Sequence, residues 1–203
     1  ELAGLWAQGA EHARVAALFA AASGDQRTIG EALTVLARLE LLAGRPIEAR
    51  ETFGRAIPIS FRADDDRGSA KGLIVAVISD NAEEAHRLLD LAEALLHRLG
   101  GDVELEVRMR TSRAEVYTRR LDNTRAIAEL ALVQELQSQA RGVDDPTLVR
   151  TWDALGVAQQ QAERYGEALT SFDTGLRLAL ATLGPKHPET LNLLGNLGYC
   201  LIK

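Results

Sequence analysis

Trp152-x-x-Leu155-Gly156, followed twelve positions after the glycine by Ala168-x-x-x-Phe172, is the stretch that decides how this chain folds. Ala114 and Gly198 lie 42 positions before and after Gly156, so a small residue recurs at one interval. The segment Leu33-x-x-Leu36-Ala37, with Ala49-x-x-x-Phe53 and then Ala56, carries the same spacing upstream. Two antiparallel helices approach closely only where a side chain is nearly absent, which makes Gly156 and Ala168 close-approach points. Trp152, Leu155 and Phe172 then fill the volume on either side of the crossing. Each such hairpin leaves an apolar face for the next one to cover, so one hairpin cannot fold alone.

This order of residues resembles the tetratricopeptide repeat, whose signature is W-x-x-L-G-x-x-Y followed by A-x-x-x-F. Tyr117 and Ala126 keep the register of the unit around Ala114, and Leu194, Leu197 and Gly198 keep that of the last unit. Gln159 stands where the family has Tyr, and Arg110 and Arg113 stand where it prefers apolar residues. Between residues 67 and 99 only Ala85, Leu89 and Ala92 follow the pattern, with Leu73 at the place of the small residue. The observed interval exceeds the commonest period of about 34 residues by about two helical turns. The connector Leu183-Gly184-Pro185-Lys186-His187-Pro188-Glu189-Thr190 looks like that of kinesin-light-chain-type repeats.

The resemblance implies an all-α chain, an α-α superhelix of about five antiparallel helix pairs that is incomplete at both ends. Residues 1–203 then form a single solenoid, with repeats at about 1–23 (partial), 26–61, 66–99, 102–142, 146–184 and 188–203 (partial). Caps, glycines and prolines place helix starts near residues 26, 46, 66, 81, 102, 123, 146, 165 and 188, with a further helix over about 10–22. All five prolines are expected at helix edges, Asp145 as an N-cap, and Asp80-Asn81-Ala82-Glu83 as a capping box. The Ala- and Arg-rich style, with a degenerate front half, is similar to regions C-terminal to bacterial serine/threonine protein kinases.

Composition agrees and excludes several functions. Hydrophobic residues are 46% and aromatics only 4%, the balance resting on Ala and Leu, which favour helix. A net charge of -6 and a pI near 5.3 give no general footprint for nucleic acid. Cys200 has no internal partner and reads as a small buried hydrophobe in a reducing, cytoplasmic setting. The longest apolar runs fall far short of the roughly 20 residues that span a membrane. With no Met at position 1 and no signal-peptide plan, the chain reads as a piece of a longer protein.

Catalytic patterns do not survive inspection. Arg67-Gly68-Ser69-Ala70-Lys71-Gly72 lacks the phosphate-loop order, and Asp64-Asp65-Asp66 has Val75 where a calcium loop needs Glu, so the acidic run reads as a helix start. His86 and His97 are about 16 Å apart along a helix, too far to share a metal, and His12 and His187 have no local ligand partners. Kinase motifs are absent from the sequence. No cofactor, metal or catalytic residue is expected, and the chain itself is not expected to be an enzyme.

Recognition by surface remains. The resemblance implies that first helices line the concave side, which places Arg150, Asp153, Val157, Gln160 and Gln161 in a groove, after Arg108, Thr111, Glu115, Thr118 and Arg119. Glu31, Thr34, Arg38 and Arg67 would precede them, and Asn192, Tyr199 and Lys203 would follow. Six cations against three carboxylates give this set +3 on an acidic protein, which suits an acidic peptide or a free carboxylate. An apolar stripe over 188–203 also suggests self-association. The resulting reading is a protein-binding scaffold, the non-catalytic region of a bacterial serine/threonine kinase. The regulatory array of a transcriptional activator and a stand-alone adaptor are the alternatives.

Overall fold

The computed structural model describes residues 2–77 and 82–202, and the helices among them account for nearly all of those positions. They are α1 (Leu2–Ser23), α2 (Gln26–Leu42), α3 (Pro46–Arg62), α4 (Asp66–Ala76), α5 (Ala82–Arg98), α6 (Val103–Arg119), α7 (Asn123–Arg141), α8 (Leu148–Gln161), α9 (Tyr165–Thr182) and α10 (Pro188–Leu201). The expected all-α class holds, and no strand occurs among the described residues. The chain divides into two compact units, Glu1–Met109 and Arg110–Lys203, with the boundary inside α6.

Most helix starts fall at or within a residue of their sequence signals, and the exceptions have local causes. The first helix begins at Leu2 rather than near residue 10, because Ala, Leu, Trp and Gln carry it through Gly4 and Gly9. Pro58 is not at an edge but inside α3, where the carbonyl of Gly54 loses its helical donor. Asp145 does not cap α8 directly. Its carboxylate accepts from the amide and hydroxyl of Thr147, making a turn that delays the helix to Leu148. The Asp80-Asn81 capping box lies outside the described residues.

In the first unit α2 lies between α1 and α3, α4 lies between α3 and α5, and α2 also touches α4. In the second, α8 lies between α7 and α9, while α10 packs on α9 and touches α8. Each unit thus stacks helix pairs with their first helices side by side, as a repeat array requires. The turn joining the two helices of a pair recurs with them: Gly44, Leu121 and Glu163 occupy one register position, with φ of 77°, 61° and 59°.

The signature residues make the crossings. Phe172 is fully buried, worth about 2 kcal/mol by area alone, and a Cβ built on Gly156 would lie 2.5 Å from its ring. Ala168 joins Phe172 in that core, whereas Leu155 and the half-buried Trp152 pack with Ala114 and Leu130 of the preceding pair. Ala37, Ala49 and Phe53 cluster in the same way in the first unit, Leu33 and Leu36 pack with Ala10, Ala13 and Ala17 of α1, and Ala114 and Ala126 are buried beside Tyr117 in the second. In the weak repeat the buried Leu73 stands at the small-residue place, and the neighbouring Gly72 faces the preceding pair, where a Cβ would meet Ile57 of α3 at 3.3 Å. Leu194 and Gly198 are exposed rather than packed, while Leu197 joins the last core cluster.

The departures from the signature are answered in kind. Buried Glu40, at the family's Tyr position, accepts from Thr52 Oγ1 at 2.7 Å, and buried Gln159 in the same register accepts from Ser171 Oγ at 2.7 Å. Arg110 and Arg113 both face Glu129, at 3.1 and 3.7 Å, on the next helix. A polar residue on one helix of a pair is matched across the crossing, as burial demands.

Two exposed carboxylates, the N-cap Asp25 and the turn residue Asp145, give the fold an acid-sensitive contribution. Thr28 holds the carboxyl of Asp25 below its usual value by side-chain and backbone hydrogen bonds, and Thr147 does the same to Asp145. Groups depressed in the folded state contribute stability above the usual Asp range and lose it as pH falls through their folded values. Thermal melts should show the midpoint falling below about pH 4, where unfolded Asp protonates. Asp25→Asn/Asp145→Asn should fall less steeply than the parent, and identical slopes would remove these two carboxylates from the account.

Candidate functional site

First helices packed side by side leave a recess wherever their facing residues are small, and one such recess opens in each unit. In the second unit α6 and α8 present Ala114, Ala154, Val157 and Ala158, with Leu130 of α7 behind them, as the floor of a pocket of about 380 Å3. Leu130 occupies the register position held by Phe53 and Phe172 in other pairs, so the ring that fills the corresponding space elsewhere is missing here. Thr111, Glu115, Thr118 and Arg119 form the rim. Five of the residues assigned to a groove from the sequence, these four and Val157, therefore meet in one place.

Glu115 is exposed to solvent at its tip, yet desolvation by the pocket walls pushes its carboxyl up, with Arg119 one turn away opposing the shift. Arg119 makes no ion pair within 4 Å among the described residues, which leaves its guanidinium available at the mouth. Thr118 donates to the carbonyl of Ala114 at 2.9 Å and is thereby fixed.

Three of the other four arginines expected in the groove are engaged. Arg150 pairs with Glu189, Arg108 with Glu104 at 2.8 Å, and Arg67 with Asp102 at 2.8 Å and Glu104 at 3.9 Å. Counting Asp102, Glu104 and Glu189 with the nine charged positions cancels the +3 excess. Sequence spacing located the side chains but not the partners of Arg67 and Arg150, which come from the next first helix or its cap, whereas Glu104 lies one turn before Arg108 on the same helix. Asp153 is half-buried and accepts from Asn196 at 2.8 Å and Asn192 at 3.3 Å; desolvation pushes its carboxyl up despite both bonds. Gln160 accepts from the buried Cys200 thiol at 3.7 Å, and Tyr199 is 45% exposed. Arg38, Gln161 and Asn192 are exposed, and Lys203 lies outside the described residues.

In the first unit a second recess of about 330 Å3 opens near the facing ends of α2 and α4, lined by Arg27, Glu31, Thr34, Asp64, Asp65, Asp66, Arg67, Gly68, Lys71 and Leu99. It takes in Glu31, Thr34 and Arg67 from the expected groove. Its acidic run works locally: Asp65 is 7% exposed and caps α4 by accepting from Gly68 N at 2.9 Å, and Asp66 pairs with Arg98 at 2.8 Å. No group of three or more His, Cys, Asp or Glu among the described residues could hold a metal. No helix among them is long and apolar enough to cross a membrane.

With this geometry the chain superposes on known repeat proteins. It is similar to BtubC (BKLC) from P. vanneervenii, at a TM-score of 0.77 and 16% identity over 99% of this chain and 82% of that one. The fold is tetratricopeptide-like. A putative kinesin light chain of Podosopora anserina with TPR-like repeats gives a TM-score of 0.71 at 18% identity, covering 84% of each chain, and a variant of it gives 0.71 at 17%. No protein-family model matches the sequence, and no curated protein matches it either.

Proposed function

We propose that this chain is a protein-interaction scaffold whose first helices bind an extended peptide, and that it serves as the non-catalytic region of a bacterial serine/threonine protein kinase. The carrying observation is the pocket between α6 and α8, which gathers five expected groove residues around an apolar floor with a guanidinium at its mouth. A concave, mostly apolar site with few polar groups is the form that small binding sites take. The ligand chemistry that fits is an apolar side chain seated on Ala114, Leu130 and Val157, beside a carboxylate that pairs with Arg119. Charge-assisted bonds from an arginine supply orientation, and burial of the side chain supplies affinity.

The kinase placement rests on the Ala- and Arg-rich style of the repeats. Kinase motifs in the parent sequence ahead of Glu1 would support it, and a nucleotide-binding domain with a helix-turn-helix there would replace it with the activator reading. The peptide site has its own test. Peptides selected from a random display library on the 203-residue chain should be enriched in apolar residues next to Asp or Glu. Arg119→Glu should weaken their binding at least tenfold, about 1.4 kcal/mol, and Ala158→Trp, which fills the pocket, should abolish it. Arg150→Glu, whose parent residue is already paired, should change little. Unchanged affinity in Arg119→Glu and Ala158→Trp would end this reading.

A further inference from the structure

The pocket between α6 and α8 carries one carboxylate and one guanidinium, so its lining is neutral rather than cationic. Both groups stand open. Glu115 and Arg119 have the order and one-turn spacing along a helix that favour an ion pair. Earlier in α6 Glu104 and Arg108 have the same spacing and close at 2.8 Å, and Asp173 and Arg177 of α9 close at 3.0 Å. Glu115 and Arg119 do not: among the described residues neither side chain makes a hydrogen bond or an ion pair.

Neither charge is called for by the packing of the repeat. Ala37, Ala114, Gly156 and Gly198 share one register place, and the residues that follow them are Arg38, Glu115, Val157 and Tyr199. The place of Arg119 is taken by Leu42 in α2 and by Gln161 in the unit after. A carboxylate and a guanidinium therefore stand together at the pocket without a structural task.

An acidic ligand alone suits only half of this rim. A carboxylate brought to Arg119 also comes within a helical turn of Glu115, and a ligand that covers the pocket displaces water from the Glu115 carboxylate. Desolvation by the pocket walls already outweighs Arg119 and pushes that carboxyl up. Covering an acceptor-only group without giving it a donor costs free energy, and the cost is larger for a charge. A ligand that brings a cation together with its carboxylate avoids this cost, each charge then meeting its opposite.

Spacing fixes where that cation lies in the ligand. Glu115 and Arg119 are about 6 Å apart along the α6 axis. Two residues of an extended chain cover about the same distance, with their side chains on one side and that of the residue between them on the other. Side chains two apart therefore reach Glu115 and Arg119 together, and the one between them turns away from that stripe toward Ala154, Val157 and Ala158 of α8.

On the basis that the pocket binds an extended peptide, we infer that it selects a core in which an apolar residue separates a basic residue from an acidic one. The basic side chain pairs with Glu115 and the acidic one with Arg119. Glu115 is then the specificity-determining residue, since it disfavours the wholly acidic segments that a guanidinium alone would accept.

Fluorescence polarisation with short labelled peptides, blocked at both ends and flanked by glycine and serine, tests this. The cores are Lys-Leu-Glu, its reverse Glu-Leu-Lys, and the same two with Gln in place of Lys. One of the two orders should bind the 203-residue chain about fivefold more tightly than its Gln control, the gain expected of a partly desolvated pair. In Glu115→Gln that gain should vanish, and Glu115→Lys should instead prefer a Glu-Leu-Glu core to either mixed one. Equal affinity for Lys and Gln cores in both orders overturns the inference, as does a Lys preference that survives in Glu115→Gln. In both of those cases, Gln-core binding that is lost in Ala158→Trp leaves the peptide pocket itself standing. A parent chain that binds none of the cores removes pocket and selection together.

Discussion

Phe172→Ala is expected to destabilise the second unit by about 3–5 kcal/mol, a large part of what holds a domain of this size. The ring is fully buried in the crossing of α8 and α9, and its edge occupies the space of a side chain at Gly156. Gly156→Ala tests the same contact from the other side. The methyl group would lie 2.5 Å from a ring atom packed on all sides, so the helices must part or the ring must leave its rotamer, at about 1–3 kcal/mol. Phe172→Leu alone should cost about 1 kcal/mol through the volume it leaves empty. The two changes combined should cost less than their sum, by about 1 kcal/mol, because the added methyl group takes up space the ring has vacated. Nature has made that double exchange in the same chain: the pair formed by α6 and α7 carries Ala114 and Leu130 at these positions, both buried. Urea unfolding of the four proteins measures the coupling, and strict additivity would mean that ring and glycine do not share the space.

The same comparison explains what the sequence can and cannot disclose. Gly156, Phe172, Ala37 and Phe53 were legible because the crossing of two helices in one hairpin is a local matter, fixed by spacing. Gly30 and Gly175 were not read as close approaches, though a Cβ on Gly175 would meet Trp152 at 2.9 Å and one on Gly30 would strike the Ser60 hydroxyl. Both lie seven residues from a signature position, and a signal exists in that interval. The groove was legible as a face but not as a charge. Register put Arg67, Arg108 and Arg150 on the first helices, yet whether a guanidinium is free depends on Asp102, Glu104 and Glu189, which belong to the turn before a helix or to its first turn. The pocket at α6 and α8 follows from a residue exchange, Leu130 for Phe, whose meaning appears only when the repeats are superposed. Helix starts were read well where a proline or an acidic cap marks them, and missed at α1, where an alanine-rich stretch simply propagates.

Thr52→Val is expected to cost about 2 kcal/mol, and Ser171→Ala about 1 kcal/mol, although the two hydroxyls make bonds of equal length in one register position. The difference lies in what each change abandons. Glu40 is 2% exposed, and without Thr52 its carboxylate keeps only Arg14, at 3.3 Å and on a half-exposed side chain. Gln159 offers a neutral amide oxygen, and burying that unpaired costs less than burying a carboxylate. Glu40→Leu should be milder than Thr52→Val, since a threonine hydroxyl inside a helix can turn to the carbonyl four residues back while a carboxylate in the crossing has no such recourse. Glu40→Leu/Thr52→Val removes both polar groups and keeps the volume, so its cost should fall below that of Thr52→Val alone. Chemical unfolding of the four variants beside the parent resolves these values. Equal losses in Thr52→Val and Ser171→Ala would show that the charge on Glu40 adds nothing to its bond, and a double variant no better than Thr52→Val would show that the polar pair stabilises the crossing rather than merely matching its own two members.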